Sequence, residues 1–173
     1  PLRFLTRSGW LAAAARDGRI YLDFPVEEDH PAEAPADLRE GLGIPLLYVG
    51  QNRCDYIVEV ESEAAVRALR PDFGRLGRLA ANRGVMVTSR ASTPGYDFVS
   101  RFFAPACGID EDPVTGSAHC CLGPYWRRKL GKDSFSAHQA SARGGDVRVR
   151  VVGDRVLLGG RAVTVFEAEL RES

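Results

Sequence analysis

Near the start of the chain, short apolar or alternating runs at Leu2–Thr6, Trp10–Ala15 and Ile20–Phe24 are separated by Arg7-Ser8-Gly9 and Arg16-Asp17-Gly18-Arg19. A period of two broken by turn-forming residues predicts a small antiparallel meander. From Pro25 to Pro35 the pattern gives way to an acidic, Pro- and Ala-rich stretch, the composition of an exposed connection. Asp37–Leu42 then predicts a short helix closed by Gly43 and Pro45. Strand patterns follow at Leu46–Val49 and Asp55–Val60. Ser62 is placed to cap a helix carrying Ala65, Val66 and Leu69 that stops at Pro71, and Asp72–Leu79 reads as another short helical piece. Beyond it, Gly84–Thr88 and Phe98–Ala104 are β-rich, Val147–Val152 and Arg155–Leu158 flank a Gly153-Asp154 hairpin, and Ala162–Leu170 reads as a last strand. One long helix interrupts them, from Gly116 to Leu130. The expected fold class is therefore α+β, with antiparallel strands wrapped around a central helix, because helix–strand alternation is too scarce for a doubly wound sheet.

Composition narrows the function classes. The 173 residues are 45% hydrophobic, enough to bury a core, and 23 Lys+Arg are cancelled by 23 Asp+Glu. No summed field favours nucleic acid or an anionic membrane, so a small or zwitterionic ligand is the easier partner. Cys54, Cys107, Cys120 and Cys121 are irregularly spaced and two are adjacent, which suits a reducing cytoplasm better than a disulfide framework. No apolar run is long enough to span a bilayer. The chain opens directly in strand-like sequence without an initiator Met, as though an upstream region precedes it. Gly41-Leu42-Gly43 and Gly131-Lys132 lack the remaining glycines of dinucleotide and phosphate loops.

The stretch that carries chemistry runs from Ser100 to Cys120, where a strand enters a turn and the turn opens the long helix. Thr115, Gly116 and Ser117 are small residues at the helix start, where free N–H groups and the helix dipole form a cradle for a carboxylate. Asp112 precedes them and is held in extended geometry by Pro113. The same residues read equally well as a plain helix start, with Asp112 or Thr115 as its cap and Glu111 as a dipole partner. Arg143-Gly144-Gly145 either presents a guanidinium and bare backbone to a ligand carboxylate or forms a simple glycine turn, and Arg101 carries a similar ambiguity. His119 is expected as a packed helix histidine rather than a general acid, and Cys120 and Cys121 as small buried side chains. Cys107, His119, Cys120 and His138 match no zinc spacing, so no metal is expected. Trp10 and Trp126 are expected in a core or an interface.

The string Glu111-Asp112-Pro113-Val114-Thr115-Gly116-Ser117-Ala118-His119 closely resembles the signature of the phenazine-biosynthesis (PhzF-like) isomerase and epimerase family. Phe4-Leu5-Thr6-Arg7-Ser8-Gly9, Asp23-Phe24-Pro25, Asp97–Pro105, Pro124-Tyr125-Trp126, Leu130-Gly131-Lys132 and Gln139–Gly145 resemble its other landmarks in the same order. The resemblance implies a diaminopimelate-epimerase-like fold of two pseudo-symmetric halves, of which these residues are the C-terminal portion. On that reading residues 1–25 are the closing strands of a mostly missing N-terminal half, 26–45 a linker with a short helix, and 46–173 the C-terminal domain. It further implies proton transfer on a small carboxylic-acid substrate without a cofactor. Asp112 matches the acidic helper, and Gly116 and Ser117 the carboxylate-binding amides and hydroxyl. Racemases of this fold place a thiol where Pro113 stands here, which argues against two-thiol chemistry. The family's glutamate base and its Gly-His-Ala-Thr helix start have no counterpart in these residues, so the catalytic Glu is expected from the missing half or a second chain, in a homodimer. A catalytically inactive small-acid-binding or interaction protein is the alternative, and a self-associating fragment a third.

Overall fold

The run Phe98–Ala104 (β8) is buried along its whole length, because a layer of structure covers each of its faces. The computed structural model describes residues 1–6, 9–79 and 83–169. Before β8 come strands β1 (Leu2–Thr6), β2 (Gly9–Arg16), β3 (Arg19–Pro25) and β4 (His30–Pro31), helix α1 (Ala36–Leu42), and strands β5 (Tyr48–Gln51) and β6 (Asp55–Glu59). Helices α2 (Glu63–Ala68) and α3 (Phe73–Leu76) and strand β7 (Gly84–Arg90) complete that part. After β8 follow β9 (Ile109–Asp112), α4 (Gly116–Leu130), β10 (Ser134–Gln139), β11 (Gly145–Val152) and β12 (Arg155–Gly160).

Among the described residues the strands form one curved sheet in the order β1-β2-β3-β12-β11-β10-β8-β7-β6-β5-β4, with β9 paired to β8 off this path. Neighbours are antiparallel except β6 with β7 and β10 with β8. The sheet wraps α4, which is buried continuously from Ala118 to Trp126, as expected of a helix enclosed on all sides. Phe98 and Phe102 of β8, Phe135 and Ala137 of β10, and Val147, Val149 and Val151 of β11 pack against it. At Gly123 an added Cβ would lie 3.0 Å from Val149 Cγ1, so this glycine sets how closely helix and sheet approach. Trp126 stacks on Phe98 at 5.6 Å, and its indole N–H donates to Thr88 Oγ1 at 3.0 Å. The alternate residues Val99 and Phe103 join a second cluster with Leu38, Leu42, Val66, Leu69 and Leu76 of the α1–α3 layer. The caps are those the residue types demand: Ser62 Oγ accepts the Ala65 N–H, and Gly43 closes α1 in the left-handed region.

Three expectations need adjustment. Residues 161–169 lie outside any helix or strand, although their alternation predicts the strand Ala162–Leu170, whose last residue falls outside the described residues. Both sides of β12 are already taken by β11 and β3, so the tail finds no free edge there, and Val163, Val165 and Phe166 stand exposed. Strands β4, β9 and β10 depart from the predicted pattern: β4 lies within the stretch read as an exposed connection and pairs with β5, β9 is acidic and β10 nearly polar. Of the Arg7-Ser8-Gly9 turn, Arg7 and Ser8 lie outside the described residues. Trp10 is 62% exposed, unlike Trp126. Among the described residues no helix is long and apolar enough to cross a membrane.

Candidate active site

The signature turn hangs between β9 and α4. Asp112 is the last residue of β9 and lies directly across from Phe102 of β8, so the buried centre of the sheet fixes its backbone. Its carboxylate Oδ2 accepts a short hydrogen bond from the Thr115 hydroxyl. Gln139, fully buried at the end of β10, clamps the turn with one amide group. Its Nε2 donates to the Asp112 carbonyl at 2.7 Å and to Thr115 Oγ1 at 3.1 Å, while its Oε1 accepts the Thr115 N–H at 2.9 Å.

This clamp sets the geometry of the helix start. Thr115 is the residue at the N-cap position, yet its hydroxyl makes no capping bond, because it is turned toward Asp112. Asp112 caps nothing either. The first N–H groups of α4, those of Gly116 and Ser117, have no intrahelical acceptor by the geometry of any helix start, and both residues are exposed. Amide donors and the positive end of a 15-residue helix thus lie exposed at this turn.

The loop between β10 and β11 is hooked to the same turn. Ser141 Oγ donates to the Pro113 carbonyl at 2.7 Å and accepts the Gly144 N–H at 3.0 Å. A Cβ on Gly145 would lie 2.3 Å from Val114 Cγ2, so only glycine lets loop and turn touch. Arg143 is exposed and makes no hydrogen bond or ion pair among the described residues. The Gly144 amide, expected to be bare, is occupied by Ser141.

Two residues that sequence reasoning passed over sit at the helix start. Arg83 grips the carboxylate of buried Asp55 through Nε and Nη2, at 3.1 and 2.5 Å, and its Nη2 also donates to Ser117 Oγ at 3.0 Å. Nothing in local sequence joins Asp55, Arg83 and Ser117; the parallel pairing of β6 with β7 sets Asp55 opposite Gly84, next to Arg83. Gln139 carried one signal, a polar side chain at an inward register of β10.

Other candidates resolve as structural. Arg101 is buried, donates from Nε and Nη2 to the Glu111 carboxylate at 2.7 and 2.9 Å, and from Nη1 to the Val66 and Leu69 carbonyls at 3.3 and 2.8 Å. It closes the end of α2 and presents nothing to a ligand. Cys120 and Cys121 are buried on α4, and burial raises both thiols, that of Cys120 to about 12. His138 pairs with Asp146 at 2.8 Å, far from the α4 cysteines in role and burial. Among the described residues no three His, Cys, Asp or Glu side chains converge as a metal site would require.

His119 is fully buried. Its Nδ1 lies 2.8 Å from the Thr115 carbonyl, and since a carbonyl only accepts, Nδ1 carries the proton. Burial lowers the imidazole pKa from 6.5 to about 4, against the opposing pull of that carbonyl. A sealed neutral ring cannot serve as general acid. Between pH 6.5 and 4 the unfolded chain takes up a proton that the folded one refuses, so acidification favours unfolding in that window and levels off below it. In His119→Gln the fall in stability from pH 6.5 to 4 is expected to be shallower than in the native protein, measured by urea unfolding at each pH. Parallel curves would show that His119 does not titrate in this way.

The α+β sheet wrapped on one helix is a fold shared with a predicted epimerase of Pseudomonas aeruginosa, at TM-score 0.62 and 18% identity, over 98% of this chain and 66% of that one. Residues 18–168 match the phenazine biosynthesis-like protein family, and the chain belongs to that family. It is 51% identical over 171 residues to an uncharacterized isomerase of Halalkalibacterium halodurans and 49% identical over 172 residues to one of Pseudomonas aeruginosa. These alignments take in 98% and 99% of this chain but 64% and 65% of the relatives, so the chain spans just under two thirds of their length. A solved PhzF-family phenazine biosynthesis protein from Enterococcus faecalis superposes at TM-score 0.86 with 37% identity, covering 92% of this chain and 60% of that one.

Proposed function

We propose that this chain supplies one face of the active site of a cofactor-independent isomerase or epimerase that moves a proton on a small carboxylic acid. The observation that carries the reading is the diverted cap: Gln139 and Asp112 hold the Thr115 hydroxyl away from the helix, leaving the Gly116 and Ser117 amides for a substrate carboxylate. In this role Asp112 faces the reacting carbon as acidic helper, and Ser117 donates its hydroxyl to the substrate. Thr115 shapes the cradle. Arg143, unpaired on the loop hooked to the turn, reaches the substrate from the rim, with Gly144 shaping that loop. The base is a glutamate from the family's other half, on the same or a second polypeptide, and the working unit is a homodimer. Residues 1–25 belong with that half; the exposure of Leu5 and Trp10, which lie opposite one another on β1 and β2, supports this placement, since adjacent exposed apolar side chains want a cover. The four unpaired cysteines suit a reducing cytoplasm.

Moving a proton from carbon requires a base on one face and a stabilising donor opposite it, in a site closed to water. The test is solvent exchange. A protein extended to the relatives' full length, incubated in D2O with a panel of small carboxylic acids, is expected to incorporate deuterium at carbon by proton NMR. Asp112→Asn is expected to slow that incorporation roughly 10²-fold. No exchange across the panel would sink the enzymatic reading, and ligand-induced thermal stabilisation without exchange would replace it with a binding role.

A further inference from the structure

We infer that Arg83 is a specificity-determining residue of this site, selecting acids that carry a second anionic group beside the carboxylate held by the α4 amides. The inference rests on the cradle reading above and names the substrate class it takes. Its basis is the relay Asp55–Arg83–Ser117. Asp55 has a side chain only 1% exposed, whereas that of Arg83 is 42% exposed, so a ligand at the start of α4 meets the guanidinium and not the carboxylate that balances it. The two-point grip through Nε and Nη2 fixes the guanidinium plane, as a bidentate pair does and a lysine could not. The Phe102 ring, 5.9 Å from the guanidinium carbon, supports it from β8.

Fixing the plane has two consequences. The Nη2 proton that faces Nη1 points at Ser117 Oγ, 3.0 Å away. Because Oγ accepts there, its own proton remains to be donated to a ligand. Arg83 thereby sets the Ser117 hydroxyl as a donor. The second consequence is that Nη1 completes the end-on fork beside Ser117 with no acceptor among the described residues. An oxygen anion placed there would meet both Nη1 and the Ser117 hydroxyl, while the first carboxylate stays on the Gly116 and Ser117 amides. A monocarboxylic acid leaves that fork unused.

The experiment compares succinate with butyrate, four-carbon acids that differ by one carboxylate, at constant ionic strength. Binding is followed by 1H–15N NMR on the Gly116 and Ser117 amides and the Arg83 side-chain N–H. Succinate is expected to bind about tenfold more tightly, the worth of one charge-assisted hydrogen bond. The preference is expected to vanish in Arg83→Gln and to return only in part in Arg83→Lys, with the dispersed amide spectrum reporting that each variant is folded. Equal affinity for both acids in the native protein, which needs no variant, would overturn the inference. So would a succinate preference that survives Arg83→Gln. If neither acid moves the Gly116 and Ser117 amides, the cradle reading itself falls and this inference with it.

Discussion

Replacing Arg101 with Met lowers the unfolding free energy by about 3–5 kcal/mol, the cost of stranding one partner of a buried ion pair. The substitution keeps an unbranched apolar stem but removes every donor. It leaves the Glu111 carboxylate without its fork and takes one of two donors from each of the Val66 and Leu69 carbonyls, which keep the Leu69 N–H and the Arg70 guanidinium respectively. It also removes the guanidinium that lies 4.8 Å over the Phe103 ring. Urea unfolding measures the loss. The double variant Arg101→Met/Glu111→Leu is expected to recover a large part of it, since removing both ions ends the desolvation penalty that the single variant leaves behind. If the single variant proved as stable as the native protein, Arg101 would return as a candidate ligand for the site it adjoins. Glu111 is one residue before Asp112, so the same pair holds β9 and through it the signature turn.

Gln139→Leu is expected to cost about 3 kcal/mol, because a side chain of similar volume takes the place of an amide that makes three hydrogen bonds. The Thr115 N–H and the Asp112 carbonyl would each lose their partner in the interior, at about 1–3 kcal/mol apiece. Beyond stability, the Thr115 hydroxyl would lose one of the two groups that hold it off the helix. Amide hydrogen exchange at Thr115 is therefore expected to accelerate more than at residues of α4 further along, and deuterium incorporation by the extended protein to fall. A loss under about 1 kcal/mol together with unchanged exchange at Thr115 would show that the turn holds its shape without the clamp. The contrast between the two variants is informative: Arg101→Met weakens the support of the turn, while Gln139→Leu changes the turn itself.

Much of the architecture is legible in the sequence. The long helix spans Gly116–Leu130 as read, because a small-residue start and a glycine stop mark both ends. Ser62 caps the helix expected to follow it, and Asp72, expected as the first residue of a short helical piece, is the cap of α3. Strands failed where composition and register diverge. Ser134–Gln139 has only Phe135 and Ala137 to mark its inward face, and Ile109–Asp112 is three-quarters acidic, yet pairing with β8 makes both into strands. The tail erred in the opposite sense: its alternation is that of a strand, but β12 has no free side to receive it. Arg101 was ambiguous because one arginine on a strand looks the same in sequence whether it faces a ligand or the carbonyls ending α2.

The sequence by itself determined the fold class, the family resemblance and the place of the helix start, since all of these depend on local periodicity, caps and contiguous motif. Only the tertiary structure decided what the residues at that start do to one another. That Gln139 holds Thr115 turned toward Asp112, and that Asp55 aims Arg83 at Ser117, depend on partners between 24 and 34 residues apart. Such contacts leave no period in the chain, because hydrogen bonds between distant residues are chosen by how the sheet curls around its helix and not by the neighbours each residue has in sequence.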